Sequence, residues 1–231
     1  MSRCGMAGKQ RNSSRREQSL SRARIIEASI ELLDIGGEGG LTFQTLSKRL
    51  ATGPGAIYWH IDNKSDLMTA ACDAIVAPVM APPLMDATPE DVIRGVALGL
   101  FDAIDAHPWV GSALVHAVGR LPSARILERL GQQVRALGVS DDEQWATVSA
   151  LLNYIFGVGG QNAANAQFAR KHDLNRSTFL GEVSIAWLLL DPEEYPFTRS
   201  IAVQMRDHDD RVDFLAGIDL ILKGIQATWH R

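Results

Sequence analysis

Apolar residues recur every three or four positions along most of this chain, which is the spacing of helices that bury one face. This periodicity predicts long helices over residues 21–35, 64–77, 89–106, 122–137, 140–170, 177–190 and 210–229. Shorter helical segments are expected near residues 108–116 and 197–205. Neither an internal repeat nor the apolar–polar alternation of strands stands out. The pattern therefore predicts an all-α chain.

A different arrangement, two short helices joined by a tight turn, is predicted for residues 41–64. The Thr42 hydroxyl is suited to cap the first helix, because it can accept from the free amides of the first turn. Residues 51–53 interrupt the helical pattern. Pro54 suits the first position of a second helix, because its missing N–H costs nothing there, and this helix would carry residues 55–60. Such a pair is typical of a helix-turn-helix, whose second helix enters the DNA major groove.

The second of these helices resembles the recognition helix of a bacterial protein family. The run AIYWH at residues 56–60, followed by Asn63 and Lys64, is similar to the recognition helix and next helix start of the TetR family of repressors. The resemblance extends over about residues 22–71. A weaker resemblance covers residues 213–219, which are similar to the last helix of the same proteins.

The resemblance implies two domains: a helix-turn-helix domain at residues 21–66 and a helical ligand-binding and dimerisation domain at residues 67–231. This chain departs from the family pattern at the turn, where Ala51 and Thr52 replace a frequent Gly-Val pair. It also has Gly53 where the family often has serine as N-cap of the recognition helix. Glycine is an acceptable N-cap, so the fold is expected to be kept without the serine side-chain contact.

The helix-turn-helix offers two kinds of DNA contact. Several side chains are hydrogen-bond donors suited to phosphates: Tyr58, Trp59, His60 and Lys64. Others are suited to base edges, because a Gln amide can pair with adenine and small residues allow close approach: Gln44, Gly55 and Ala56. With the capping Thr42 they form the predicted DNA-binding set. The alternative is that one ring packs inside and the other rings are incidental surface.

Charge is distributed unevenly along the chain. Residues 1–64 contain 10 Lys and Arg and 6 Asp and Glu, a net charge of +4, whereas residues 65–231 contain 13 and 21, a net charge of −8. A basic end on an acidic body suits a protein that presents one face to a polyanion, although chance can produce the same asymmetry. Residues 1–20 lack apolar periodicity and are expected to be a disordered basic arm, either touching DNA or simply solvated.

The sequence lacks the common motifs of catalysis, metal binding and membrane insertion. The sequence has no phosphate-binding glycine loop, no G-x-S-x-G and no H-E-x-x-H. Cys4 and Cys72 are far apart, which indicates neither a disulfide framework nor a zinc site. Asp209 or Asp210 is expected to cap the last helix rather than bind metal with His208. No cofactor, metal or membrane partner is predicted, and a reducing cytoplasm is the expected location.

Polar-tipped residues are scattered through the apolar helices of the body. These residues alone do not distinguish two arrangements. One is a solid core with a dimer interface, and the other is a cavity that holds a small molecule. The resemblance implies an effector pocket, formed mainly by the fourth to eighth helices. The residues predicted to bind that effector are Phe101, Trp109, His116, Asn153, Phe156 and Trp187.

Three functions were weighed. The first is a homodimeric repressor that binds a double-stranded, palindromic DNA operator and is released by a small-molecule effector. The resemblance implies that it dimerises through the helices near residues 140–170 and 210–229. The alternative is an all-α enzyme that uses the cavity of the body, which the lack of an acid–base pair or nucleophile disfavours. A non-specific, nucleoid-type DNA binder is disfavoured by the acidic body and the single short reading head.

Overall fold

The computed structural model describes residues 20–82, 87–116, 119–173 and 175–229. All regular elements in these ranges are helical, which confirms the all-α prediction. They are α1 (Arg22–Gly40), α2 (Phe43–Arg49), α3 (Pro54–Tyr58), α4 (Lys64–Val79), α5 (Pro89–Ala106), α6 (Trp109–His116), α7 (Leu121–Ala136), α8 (Gln144–Lys171), α9 (Arg176–Leu188), α10 (Pro196–Ile201) and α11 (Asp210–Trp229), with a 3₁₀ turn at Gln204–Asp207. The arm predicted for residues 1–20 lies outside the described residues, except for Leu20.

Helix starts follow local sequence signals. The Thr42 hydroxyl accepts from the amide of Thr45 at 3.0 Å. Asn63 Oδ1 accepts from the Asp66 amide at 2.9 Å ahead of α4, and the Thr88 hydroxyl caps α5. Each of these bonds satisfies an amide that the helix itself leaves free.

Three helix ends differ from the predicted ones. Hydrogen bonding in α1 continues to Gly40, but Gly37 adopts a non-helical φ of 58°, so the regular part stops near the predicted end. Pro78 lies inside α4 rather than ending it, because a proline in the final turn displaces few helical bonds. Helix α8 starts at Gln144 rather than residue 140, since residues 141–143 form a turn.

The chain divides into two compact units between Ala74 and Ile75, within α4. The boundary predicted from sequence lies at residues 66–67. The difference arises because Ala71 and Cys72, in the first part of α4, are buried residues of the first unit. Burial, reinforced by the charge of Asp73, raises the pKa of the Cys72 thiol to about 12. This thiol is therefore protonated at neutral pH and serves as a core side chain.

Helix α5 lies at the centre of the second unit, where it packs against α6, α7, α8 and α11. Its fully apolar face is buried and comprises Val92, Ile93, Val96, Ala97, Leu100, Phe101 and Ile104. Gly159 allows α8 to approach this face closely, since a β-carbon there would lie 3.2 Å from Cδ1 of Ile104. None of the helices in the described ranges is long and apolar enough to cross a lipid bilayer.

Helices α8 and α11 are joined by an aromatic contact. The Tyr154 hydroxyl donates to the Phe214 carbonyl oxygen at 3.1 Å, and the two rings stack with centroids 5.5 Å apart. The Tyr154 ring lies directly over Gly217, where an added β-carbon would overlap Oη and Cζ and lie 2.9 Å from Cε2. Gly217 is therefore required by the position of this tyrosine.

Candidate DNA-binding and effector sites

The predicted helix-turn-helix is present as α2, a four-residue turn and α3 in the first unit. Thr42 and Thr45 form a reciprocal capping box that fixes the start of α2. Pro54 occupies the first turn of α3, and Gly53 caps it without a side-chain hydrogen bond, as expected. Ile57 is completely buried and anchors α3, which leaves the remaining side chains of this short helix available for contacts outside the unit.

Ala51, in the turn, has a positive φ of 49°. This left-handed region favours glycine, because a β-carbon there crowds the backbone and costs about 1–2 kcal/mol. The frequent glycine of the family pattern at this position therefore has a steric explanation, and this chain keeps the same turn with a strained alanine.

We expect Ala51→Gly to stabilise the first unit by up to about 1 kcal/mol, since relief of strain exceeds the extra entropy of an unfolded glycine. Ala74→Gly, at an exposed helical position of α4, serves as control and should destabilise by about 1 kcal/mol. Urea unfolding of both variants measures the difference. A loss of stability in Ala51→Gly equal to that of the control would contradict the strain.

Aromatic side chains are exposed at the end of α3. The Tyr58 side chain is 52% exposed, and its ring stacks on Phe43 of α2 with centroids 4.4 Å apart. Trp59 is 90% exposed, and His60 is exposed beyond the last residue of α3. Neighbouring aromatic side chains that are this exposed on a small unit indicate a binding surface.

The other predicted DNA-binding residues lie around this cluster in the chain. Gln44 and Gly55 are exposed, whereas Ala56 is half-buried. The Lys64 ammonium donates to the carbonyl oxygen of Glu38 at 2.7 Å, at the end of α1. Sequence reasoning missed this bond, which joins positions far apart in the chain. It occupies one of the three donors of the ammonium, so the positive charge remains available to a phosphate.

A cavity of about 670 Å³ lies in the second unit, between α5, α8, α9 and the start of α11. Its apolar lining includes Phe101, Ala166, Ala169, Phe179 and Leu180, and its polar lining includes Asp102, Asp105, Asn162, Asn165, Arg176, His208, Asp209, Asp210 and Arg211. A smaller one of about 300 Å³ shares several of these residues and adds Tyr154. The volume and the mixed lining suit a small organic molecule.

Ion pairs connect the helices around the cavity. Arg211 of α11 pairs with Asp102 of α5 through two contacts of 3.2 and 3.3 Å. Arg176 of α9 pairs with Asp210 at 2.8 Å. The start of α11 is thereby tied to two other walls of the cavity.

Asp209 caps α11, as predicted. Its Oδ1 accepts from the amides of Val212 and Arg211, both at 3.0 Å, and these bonds lower the pKa of the carboxyl. Nearby His208 lies 2.8 Å from Asp210 and 2.5 Å from Asp213. Nowhere in the described part of the chain do three or more His, Cys, Asp or Glu residues form a group suited to a metal ion.

Of the six predicted effector-binding residues, Phe101 lines the cavity and the others are not among its lining residues. Trp109 is buried, and Phe156 and Trp187 are half-buried. His116 is exposed at the end of α6, with Nδ1 2.8 Å from the Ser112 carbonyl oxygen. Asn153 is also exposed, on α8.

Sequence reasoning missed the charged lining of the cavity. Asp102, Asp105, Arg176 and Arg211 look like ordinary surface residues of amphipathic helices, and their meeting depends on how α5, α9 and α11 are arranged. One signal was available: Asp105 follows Phe101 by one helical turn, so both lie on the same face of α5.

Curated relatives place the chain among helix-turn-helix regulators. An HTH-type transcriptional regulator from Saccharopolyspora erythraea is 28% identical over 147 residues, 62% of this chain and 61% of the relative. The class C tetracycline repressor protein from Escherichia coli is 32% identical over 120 residues, 51% of this chain and 53% of the repressor. These alignments thus span less than two thirds of either relative. No family model matches the chain.

Solved structures give a more complete match. The transcriptional regulator SCO7222, a TetR from Streptomyces coelicolor, is 50% identical and covers 91% of this chain and 100% of its own, with a TM-score of 0.82. The chain therefore belongs to the TetR family of transcriptional regulators. It is a DNA-binding regulator rather than an enzyme, as the first of the three hypotheses predicted.

Two further neighbours were solved with bound partners. BioQ with its double-stranded DNA operator is 28% identical, covers 67% of this chain and 94% of its own, and has a TM-score of 0.55. ActR from Streptomyces coelicolor in complex with actinorhodin has a TM-score of 0.74 and covers 91% of this chain and 97% of its own. At 18% identity, ActR is evidence of a shared fold alone.

Proposed function

We propose that this chain is a cytoplasmic, homodimeric repressor that binds a palindromic DNA operator and releases it when a small molecule occupies the cavity of the second unit. The observation that supports it most is the coexistence of a helix-turn-helix with exposed aromatic residues and a separate cavity of about 670 Å³. BioQ binds an operator and ActR binds a small molecule, and both have this fold.

DNA contact is assigned to the exposed surface around α3. Tyr58, Trp59, His60 and Lys64 offer donors for phosphates, with Thr42 beside them at the start of α2. Gln44, Gly55 and Ala56 are assigned to base edges, because two are exposed and the small ones admit the major groove closely.

Dimerisation is assigned to α8 and α11, because both helices have exposed residues that are apolar, small or uncharged. On α11, Phe214, Ile218 and Leu222 are buried within the protomer, whereas Val212 and Leu220 are 63% and 69% exposed. The exposed face of α8 carries mostly small or amide residues: Ala146, Ala150, Asn153, Gly157, Gln161 and Ala164. Faces of this kind are covered by a partner in stable oligomers. Asn153 belongs to this proposed interface rather than to the cavity.

We expect a dimer in the absence of DNA, and Leu220→Glu should shift it to monomer by placing a charge in the apolar interface. Leu127→Glu, at a partly exposed apolar position of α7, serves as control and should leave the dimer intact. Sedimentation equilibrium across micromolar concentrations measures both. A monomer at all concentrations would contradict the assignment.

The experiment that tests the whole proposal has two stages. Binding sites are first selected from random DNA with the full-length protein, and gel shifts with selected and scrambled sites measure specificity. We expect palindromic sites, with half-sites separated by roughly one helical turn or a multiple of it. A screen for molecules that release this DNA follows, and linkage requires that the operator weakens binding of such a molecule by the same factor. Equal affinity for selected and scrambled DNA would refute the proposal.

A further inference from the structure

Negative charge exceeds positive charge around the cavity. Its lining contains Asp102, Asp105, Asp209 and Asp210 against Arg176 and Arg211. The His208 ring lies between the carboxylates of Asp210 and Asp213, so those two residues are its charged neighbours rather than Asp105.

Asp105 differs from the other acidic residues of the lining. Asp102 and Asp210 are each paired with an arginine, and Asp209 is engaged by backbone amides at the start of α11. Asp105 accepts from the side-chain amide of Asn162 at 3.0 Å. This donor is neutral, and the ion pairs found among the described residues do not include Asp105. Asp105 therefore presents an uncompensated negative charge to the cavity.

Apolar surface adjoins this carboxylate. Phe101 precedes Asp105 by one turn on the same face of α5, and Phe179 and Leu180 line the cavity from α9. The Phe101 ring is held by stacking on Phe214 with centroids 4.6 Å apart. Asp105 itself is exposed, so its carboxylate is accessible to a cation beside this apolar lining.

We propose that the effector of this cavity is an organic cation, an aromatic or aliphatic amine whose ammonium pairs with Asp105 while its apolar body packs on Phe101 and Phe179. The Asn162 amide holds the carboxylate in place for this contact. The inference rests on the proposed function, because it assigns a ligand class to the site that controls DNA release.

Three probes with one ring system test the charge preference: naphthalenemethylamine, naphthalenemethanol and naphthoate. Titration calorimetry with the full-length protein at neutral pH measures their affinities. We expect the amine to bind roughly two- to fivefold more tightly than the alcohol, the size of an ion pair at an exposed carboxylate, and the naphthoate to bind most weakly.

Asp105→Asn removes the charge and keeps an oxygen that can accept from Asn162. It should abolish the preference for the amine and leave the alcohol unaffected. Asp142→Asn, an equal charge change in the exposed turn before α8, should change neither affinity. The proposal is overturned if no probe binds saturably, if the amine and the alcohol bind equally, if the carboxylate binds best, or if Asp105→Asn keeps the preference.

Gel shifts separate this inference from the proposed function. Asp142→Asn should bind the selected operator as the wild type does, since Asp142 lies outside both the helix-turn-helix unit and the lining of the cavity. Release of the operator by neutral or anionic molecules only would leave the repressor function standing and reject the cationic effector. Binding of the amine without any specific operator binding would support the ligand class and reject the repressor.

Discussion

Gly217→Ala should destabilise the second unit by roughly 1–3 kcal/mol, the usual cost of forcing extra volume into a packed site. The added methyl group would overlap the Tyr154 ring, which stacks on Phe214 and donates to its carbonyl oxygen. The ring therefore cannot move aside without losing both interactions. Urea unfolding at a fixed protein concentration measures the change, because dimerisation makes apparent stability depend on concentration.

Gly95→Ala is the matched control, since Gly95 is an exposed position of α5 where a β-carbon meets nothing within 4 Å. It should stabilise by up to about 1 kcal/mol through helix propensity alone. The double variant Tyr154→Ala/Gly217→Ala should lose less free energy of unfolding than the two single variants lose together, because the two residues contact each other. Gly217→Ala with wild-type stability would show that the aromatic contact does not constrain α11.

Gln44→Ala and Lys64→Ala should weaken DNA binding in different ways. The Gln44 amide is proposed to pair with one base. Its removal should cost roughly 1–3 kcal/mol of binding free energy at that base pair and relax the base preference there. The Lys64 charge is proposed to neutralise one phosphate in each protomer. Its removal should therefore weaken binding to all sequences alike and lower the salt slope of the dimer by about two. Competition gel shifts across operator variants, repeated at several salt concentrations, distinguish the two results.

The Lys64 substitution needs a companion because its ammonium also donates to the Glu38 carbonyl oxygen. Lys64→Gln removes the charge and keeps a donor, so it should show the same salt slope as Lys64→Ala with less loss of stability. Gln132→Ala, at an exposed position of α7, is the control for Gln44→Ala and should leave DNA binding unchanged. Altered base preference in Lys64→Ala, or uniform weakening in Gln44→Ala, would reverse the assigned roles.

Local features of this fold were predictable because neighbours in sequence determine them. Thr42 and Pro54 start helices through bonds and backbone angles within one turn, and both were identified from sequence. Apolar spacing likewise indicated the inward faces of α5 and α7. It did not separate the buried from the exposed apolar residues of α11, where Phe214 is buried and Val212 is 63% exposed.

The cavity was not predictable at residue level, because its walls come from helices whose mutual arrangement no local pattern encodes. Phe101 was identified, but its partners Asp102 and Asp105 were hidden among the polar residues of an amphipathic helix. Trp109 was predicted to bind the effector as a polar-tipped residue on an apolar helix, and it is buried outside the lining of the cavity. Residue type alone does not distinguish these two environments.

The stacking of Tyr58 on Phe43 has a consequence for the entropy of DNA binding. The Tyr58 ring is held 4.4 Å from Phe43, so its rotamer is already selected, and the proposed contact with a phosphate would cost little ordering entropy. Trp59, which is 90% exposed, would instead lose its rotamer freedom on binding, at a cost of about 0.5–1.5 kcal/mol. Two adjacent aromatic residues on one short helix would thus contribute through different balances of enthalpy and entropy.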